Sequence, residues 1–246
     1  MLKPQVRSAE QWQSIRDLFT KNLIFNEERG KLATGIATVD SLGNIELLKL
    51  PIKASQFIGL SEYDAVMSRI GSKTTLILGH TRLPTKGDPS QRANNHPVQA
   101  GTVLGVHNGH IENDDELFVR CECQRQANVD SEIIFRLIEK INPIHKDVSY
   151  LSSILPFVQL LKGEFTFLAI DQRSPSQMVV LKHKNPLCIH FHRQWNALIF
   201  SSRYIFLRKI FGHSIVAETL KQDHLMLFDA NHIAEMGISP NSMIPI

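Results

Sequence analysis

Near the start of the chain Trp12, Ile15, Leu18, Phe19 and Leu23 recur at helical spacing behind Ser8-Ala9-Glu10-Gln11. A serine followed three residues later by glutamine is a capping box, so the pattern predicts an opening amphipathic helix. Residues 33–39 and 45–50 are β-rich runs flanking Asp40-Ser41-Leu42-Gly43-Asn44, whose Gly and Asn tolerate the positive φ of a turn; together they predict a hairpin. A second helix is expected between Ser61 and Gly71, with Tyr63, Val66, Met67 and Ile70 on one face and Asp64 closing its cap.

Residues 74–78 and 102–106 are short β-branched runs, each delivering the chain into a polar cluster where chemistry is expected. Helices follow at 113–121, 130–142 and about 149–161, the last kinked or shortened by Pro156. Residues 165–170, 178–182, 187–192 and 197–201 then alternate with short turns as an antiparallel meander. No repeat, linker or charge block divides residues 1–246, so one α+β domain is expected, with helices packed outside antiparallel sheets.

Composition narrows the function classes. The 246 residues are 43% apolar and 21% charged, ordinary values for a folded chain large enough to bury a core without disulfides. Lys+Arg 27 against Asp+Glu 24 gives +3, too little for nonspecific binding to a phosphate backbone, so nucleic acid is not an expected partner. Cys121, Cys123 and Cys188 form no disulfide or zinc spacing. With no signal-like N-terminus and no run of roughly 20 apolar residues, the reading is a cytoplasmic protein without a membrane partner.

Two stretches carry candidate chemistry: Gly79-His80-Thr81-Arg82-Leu83-Pro84-Thr85-Lys86-Gly87 and His107-Asn108-Gly109-His110-Ile111-Glu112-Asn113. The planar fork of Arg82 matches a carboxylate bidentately, although an isolated Arg also reads as a surface ion pair. Asn108-Gly109 sets a side-chain amide beside an unshielded backbone N–H, two donors of the oxyanion-hole kind. The same dipeptide is the commonest tight turn. Asp130 can receive an ammonium group, cap the helix after it, or do both. Among eleven histidines, His107 with His110 and His190 with His192 suggest metal binding, but no third ligand stands at matching spacing. No metal is expected.

Taken in order, these residues resemble the class II, or N-terminal nucleophile, glutamine amidotransferase family. Asn26-Glu27-Glu28-Arg29-Gly30-Lys31-Leu32-Ala33-Thr34-Gly35-Ile36-Ala37 is similar to its "RG-x-x-x-x-G-I-A" segment. Gly79 to Gly87 resembles "G-H-T-R-x-x-T-x-G", Asn94-Asn95-His96-Pro97 "N-x-H-P", His107 to Asn113 "H-N-G-x-I-x-N", and Asp130-Ser131-Glu132 "D-[ST]-E". Gly163-Glu164-Phe165-Thr166-Phe167 and Asn185-Pro186-Leu187 match later sheet segments. The resemblance implies an N-terminal nucleophile hydrolase-like sandwich, two antiparallel sheets between helix layers. It further implies that Arg82, assisted by Thr85, binds the α-carboxylate of glutamine and that Asp130 takes the α-amino group. Asn108 and Gly109 would form the oxyanion hole, and Arg29 would support the site. No cofactor is implied.

The chain departs from the family in one decisive respect. The family nucleophile is a cysteine at the mature N-terminus in an opening "C-G-I-x-G", activated by its own α-amine, whereas residue 2 here is Leu2 and neither Ser nor Thr follows Met1. Cys121, the first cysteine, lies in a predicted helix. Either the chain begins a few residues after the true start or it is a member that has lost catalysis; retention of Arg82, Thr85, Asn108, Gly109 and Asp130 favours the first. The family's first segment is also a sheet strand, for which Pro4 makes residues 2–6 a poor substitute. Leu83 replaces a frequent aromatic, and Ser201-Ser202-Arg203 a more typical "S-E". The expected activity is release of ammonia from glutamine for an acceptor on a partner protein; the alternative is an inactive glutamine-binding or regulatory module.

Overall fold

A computed structural model describes residues 1–143, 148–212 and 218–246. In chain order its elements are α1 (Ala9–Asn26), β1 (Ala33–Asp40), β2 (Ile45–Leu50), α2 (Ala54–Phe57), α3 (Ser61–Ser68), β3 (Thr74–Arg82), β4 (Val98–Ala100), β5 (Val103–Ile111), α4 (Asp114–Arg120), α5 (Glu132–Glu139) and α6 (Val148–Val158). There follow β6 (Gly163–Asp171), β7 (Gln177–Lys182), β8 (Cys188–His192), β9 (Ala197–Ser201), α7 (Tyr204–Phe211), β10 (Glu218–Thr219), β11 (His224–Asp229), α8 (Ile233–Met236) and β12 (Ser242–Pro245).

Among the described residues every strand pairing is antiparallel, and the strands form an α+β sandwich. One layer is a six-stranded sheet in the order β12-β11-β7-β6-β5-β4. The other consists of two short sheets, β2-β1-β3 and β10-β8-β9. Period-2 alternation explains how the layers meet. Along β6, Phe165, Phe167 and Ala169 face a core shared with α4, α5 and α6, whereas Ile170 faces a second core between the sheets. That second core also takes Ala37 and Val39 from β1, Leu76 and Leu78 from β3, and Leu104 and Val106 from β5. A third core lies under α1, α2 and α3, where Trp12, Ile15 and Leu23 pack with Ile36, Tyr63 and Met67.

The two short sheets meet edge to edge across the first residues of the chain, between β3 and β9. Leu2 bridges to Ala197, its N–H donates to Thr75 O (2.7 Å), and Leu198 N–H donates to Met1 O (2.9 Å). The pairing is an isolated bridge instead of a ladder, as expected of a segment that runs into Pro4.

Several local expectations hold. Ser8 and Gln11 form the capping box of α1. In the β1–β2 hairpin the Asp40 carboxylate accepts from Leu42 and Asn44 N–H, and Gly43 adopts φ 84°. Others are corrected. The α3 helix starts after Leu60 without a side-chain cap, so Asp64 closes nothing. Strands β3 and β5 run several residues further than their apolar cores, through the polar motifs, because antiparallel partners on β1 and β6 continue to supply hydrogen bonds there. Pro156 lies inside α6, which ends two residues later.

One contact governs how the motif loop seats. Opposite Lys49 in the β1–β2 register stands Gly35, where an added Cβ would lie 2.1 Å from His96 O and 3.0 Å from Pro97 Cδ. Only a residue without Cβ lets residues 93–97 lie directly on the strand. Gly35→Ala is expected to cost about 1–3 kcal/mol or more in urea denaturation; an unchanged midpoint would show that the loop sits free of the strand.

Candidate functional site

The polar motifs converge where β3 and β5 end. Asn108 and Gly109 lie within β5, paired with Thr166 and Phe165 of β6, so the tight-turn reading of this dipeptide is excluded. Gly109 adopts φ 130°, and a Cβ there would lie 1.9 Å from Glu164 O. The bend therefore requires glycine.

Arg29, in the turn that follows α1, donates from Nη2 to Asn108 Oδ1 (3.0 Å). A guanidinium can only donate, so the amide atom facing it is the oxygen, and Nδ2 is directed elsewhere. Asn108 Nδ2 is buried and has no hydrogen-bond partner, as is Arg29 Nη1. Leaving such a donor unpaired costs about 1–3 kcal/mol. A fixed, unspent amide donor beside a glycine N–H is an arrangement that stabilises a developing oxyanion.

Arg82 is 3% exposed, which excludes the surface ion pair. Its Nη1 donates to Asn95 Oδ1 (2.8 Å), and its Nη2 to Gly87 O (3.0 Å) and to Lys86 O. Three of the five guanidinium donors thus hold the loop that follows β3. Burial lowers the Arg82 pKa, and the Asp130 and Asp88 carboxylates partly offset that effect. Thr85 is exposed on the same loop, outside the network that holds Arg82. The neighbouring Lys86 ties the loop to α4 through Asp114 (2.7 Å), which Arg125 also contacts (2.9 Å).

Asp130 is 1% exposed and does not cap α5; the residue at that position is Ser131, without a side-chain cap. Its Oδ2 accepts from Ile111 N–H (2.8 Å) and lies 3.3 Å from His110 Nδ1. The carboxylate is thereby fixed two residues beyond Gly109, with acceptor capacity left for a cation.

Several residues without an assigned role in the sequence reading support these groups. Asn95 is fully buried and its Nδ2 donates to Pro89 O (2.7 Å). Asn94 Oδ1 accepts from Asn128 N–H (2.7 Å). The buried Glu132 carboxylate accepts from Gln126 and Ala127 N–H, shaping the approach to Asp130. Motif order pointed to Asn94, Asn95 and Glu132; only their contacts show what they do.

Three imidazoles fill the space behind the site. His80 and His96 stack with centroids 4.3 Å apart, and His96 lies 6.3 Å from His107. His80 Nε2 donates to His107 O (3.1 Å), and His96 Nε2 shares a hydrogen bond with Ser131 Oγ (2.8 Å). Burial is the main cause that lowers all three, His80 to about 3, His107 to about 4 and His96 well below its ordinary value. Among the described residues no group of three or more His, Cys, Asp or Glu is arranged to hold a metal ion. No helix among them is long and apolar enough to cross a membrane.

A cavity of about 190 Å³ adjoins Asn108 and Arg29 and is lined mainly by apolar side chains, Phe19, Leu23 and Ile199 among them, together with Met1 and Leu2. None of the three cysteines lines it. Among the described residues four hydroxyls do, and each is committed: Thr81 to Asn26 O, Thr166 to Asn185 O, Ser201 to Asn22 Oδ1 and Ser202 to Asn26 Oδ1.

Residues 80–209 match the family model of the glutamine amidotransferase domain. The chain is 28% identical over 182 residues to glutamine–fructose-6-phosphate aminotransferase (isomerizing) of Vibrio vulnificus strain YJ016, and 29% identical over 181 residues to the enzyme of that name from Halalkalibacterium halodurans. These alignments cover 73% and 72% of this chain but 28% of each relative, so the chain spans little more than a quarter of their length. Among solved structures, glutamine phosphoribosylpyrophosphate amidotransferase from B. subtilis shares the fold with TM-score 0.64 at 18% identity, over 87% of this chain and 44% of that one. A glutamine aminotransferase class-II domain protein from Silicibacter pomeroyi has TM-score 0.52 at 13% identity, over 80% of this chain and 87% of that one.

The buried imidazoles set a pH dependence. His96 and His107 are neutral in the folded protein and become cationic in the unfolded chain below about 6.5. Their contribution is complete above that pH and is lost as pH falls from 6.5 towards 4, by about 1.4 kcal/mol per pH unit for each ring. Urea denaturation at pH 7, 6 and 5 measures it; a flat profile would refute neutral burial.

Proposed function

Since the chain belongs to the class II glutamine amidotransferase family, we propose that it binds L-glutamine at the convergence of β3, β5 and the segment before α5. In this reading Arg82, with Thr85, receives the α-carboxylate and Asp130 the α-ammonium group. The side chain then extends to Asn108 and Gly109, whose donors meet the γ-carbonyl oxygen, while Arg29 holds the amide of Asn108 in register. The observation that carries the reading is the buried, unpartnered Nδ2 of Asn108 beside the Arg29-bound Oδ1. A structural asparagine would spend both ends of its amide.

Cleavage of the γ-amide needs a nucleophile in the cavity next to Asn108. A cysteine bearing a free α-amine, supplied by residues before Met1, would attack the carbonyl carbon, and the oxyanion would collect at Asn108 Nδ2 and the Gly109 N–H as ammonia leaves. Water would then release glutamate, and the ammonia would pass to an acceptor on another chain. A second reading, a glutamine-binding or regulatory module without turnover, is favoured by a specific observation: among the described residues the cavity holds no cysteine, and its hydroxyls are tied to acceptors.

Calorimetric titration with glutamine tests the shared premise, and glutamate release by the protein from its natural source separates the two readings. Arg82→Ala is expected to weaken glutamine binding by about 1.5–3 kcal/mol, with Arg82→Lys recovering only part because a point charge cannot replace the fork. Unchanged affinity in a folded Arg82→Ala variant would overturn the clamp. Asn108→Ala is expected to spare binding while lowering any turnover by roughly a hundredfold or more; full turnover would remove the oxyanion role.

A further inference from the structure

The alternation of β2 sets Ile45, Leu47 and Lys49 on one face. A lysine in a hairpin strand ordinarily reaches solvent. Lys49 is instead 7% exposed, and its ammonium sits among three main-chain carbonyls, Asn95 O at 2.7 Å, Pro97 O at 3.1 Å and Ala93 O at 3.4 Å. An ammonium has three N–H donors and no acceptor, so all three are directed at one short segment. Among the described residues no carboxylate lies within ion-pair distance of it. Burial, with Arg92 and Arg82 nearby, holds Lys49 at about 8, and Glu132 acts in the opposite direction. Burying a cation is costly, and an apolar residue would pack this face at lower cost.

What the ammonium holds is the backbone of Asn95. That residue's Oδ1 accepts from Arg82 Nη1 at 2.8 Å, and its Nδ2 is anchored on Pro89 O. The same segment reaches the other end of the site through His96, whose ring meets Ser131 next to Asp130. Gly35, opposite Lys49, lets the segment approach closely enough for the carbonyls to reach the ammonium. We infer that Lys49 is a positioning residue that sets the orientation of the Arg82 guanidinium by anchoring the Asn95 backbone. Lys49 reaches the ligand only through this chain of contacts. The inference rests on the proposed role of Arg82 in binding glutamine.

The test is a double-mutant cycle read by NMR titration of glutamine. Lys49→Met, of similar length without donors, is expected to fold and to weaken glutamine binding about tenfold or more. In an Arg82→Lys background the same change is expected to add less than twofold, because the fork it orients is already gone. Full multiplication of the two losses, or wild-type affinity in Lys49→Met, would overturn the assignment. Lys49→Gln, which keeps one donor pair, is the second variant should Lys49→Met fail to fold; it is expected to lose at least threefold, and a folded Lys49→Gln with wild-type affinity would equally refute it. A further readout does not need glutamine. Exchange of the Arg82 Nη1 protons, one of which Asn95 Oδ1 accepts, is expected to accelerate about tenfold or more in either variant, and unchanged exchange would overturn the inference. If the wild-type protein bound no glutamine, the clamp reading would fall while this exchange still decided the role of Lys49.

Discussion

The hydrogen bond from Arg29 to Asn108 is the constraint on which the site turns. Because a guanidinium cannot accept, it forces the amide oxygen towards itself and leaves Nδ2 as a buried donor with nothing to meet. Neither residue could be held this way alone. Arg29 stands where α1 hands the chain to β1, Asn108 is fixed by the β5–β6 ladder, and the core between the sheets brings the two together. Preorganisation of this kind is stored in the fold: the cost of an unpaired donor is met by burial elsewhere and is recovered when a ligand oxygen arrives.

The second half of the site depends on residues 92–97. This segment lies against Gly35, is gripped by Lys49, and extends Asn95 to Arg82 and His96 to Ser131. A loop would ordinarily be the least certain part of a binding site. Here it is fastened at its main-chain carbonyls, so the arginine is held by a rigid frame although its loop is exposed at Leu83 and Thr85. The neutral imidazoles behind it extend the same frame without adding charge next to Arg82.

Around this frame the molecule sets an apolar cavity beside a cluster of oriented polar groups. In the proposed reading Asn108, Arg29 and Asp130 meet an amino-acid amide, and the space beside Asn108 is lined by aliphatic and aromatic side chains and by tethered hydroxyls. Recognition and bond cleavage are therefore separable here, since oriented donors and charges suffice for the first and only an activated nucleophile supplies the second.

Much of this was legible in the chain. The capping box of α1, the Asp40 turn and the alternation of β6 depend on residues a few positions apart, so local pattern determined them. Motif order likewise grouped Arg29, Arg82, Asn108, Gly109 and Asp130. Whether Asn108-Gly109 was a turn or a strand was decided by pairing with Thr166 and Phe165, more than fifty residues away. Asp130 read as an ammonium receiver, a helix cap or both, and the cap was removed only when the Ile111 N–H claimed its carboxylate and Ser131 took the cap position. Lys49 carried no signal at all, because a charged residue in a short strand reads as solvent-facing; only the arrival of Ala93, Asn95 and Pro97 from another part of the chain turned it inward. Local hydrogen bonding and side-chain period are written in sequence, whereas burial of a charge and the pairing of distant strands exist only once the sheets have packed.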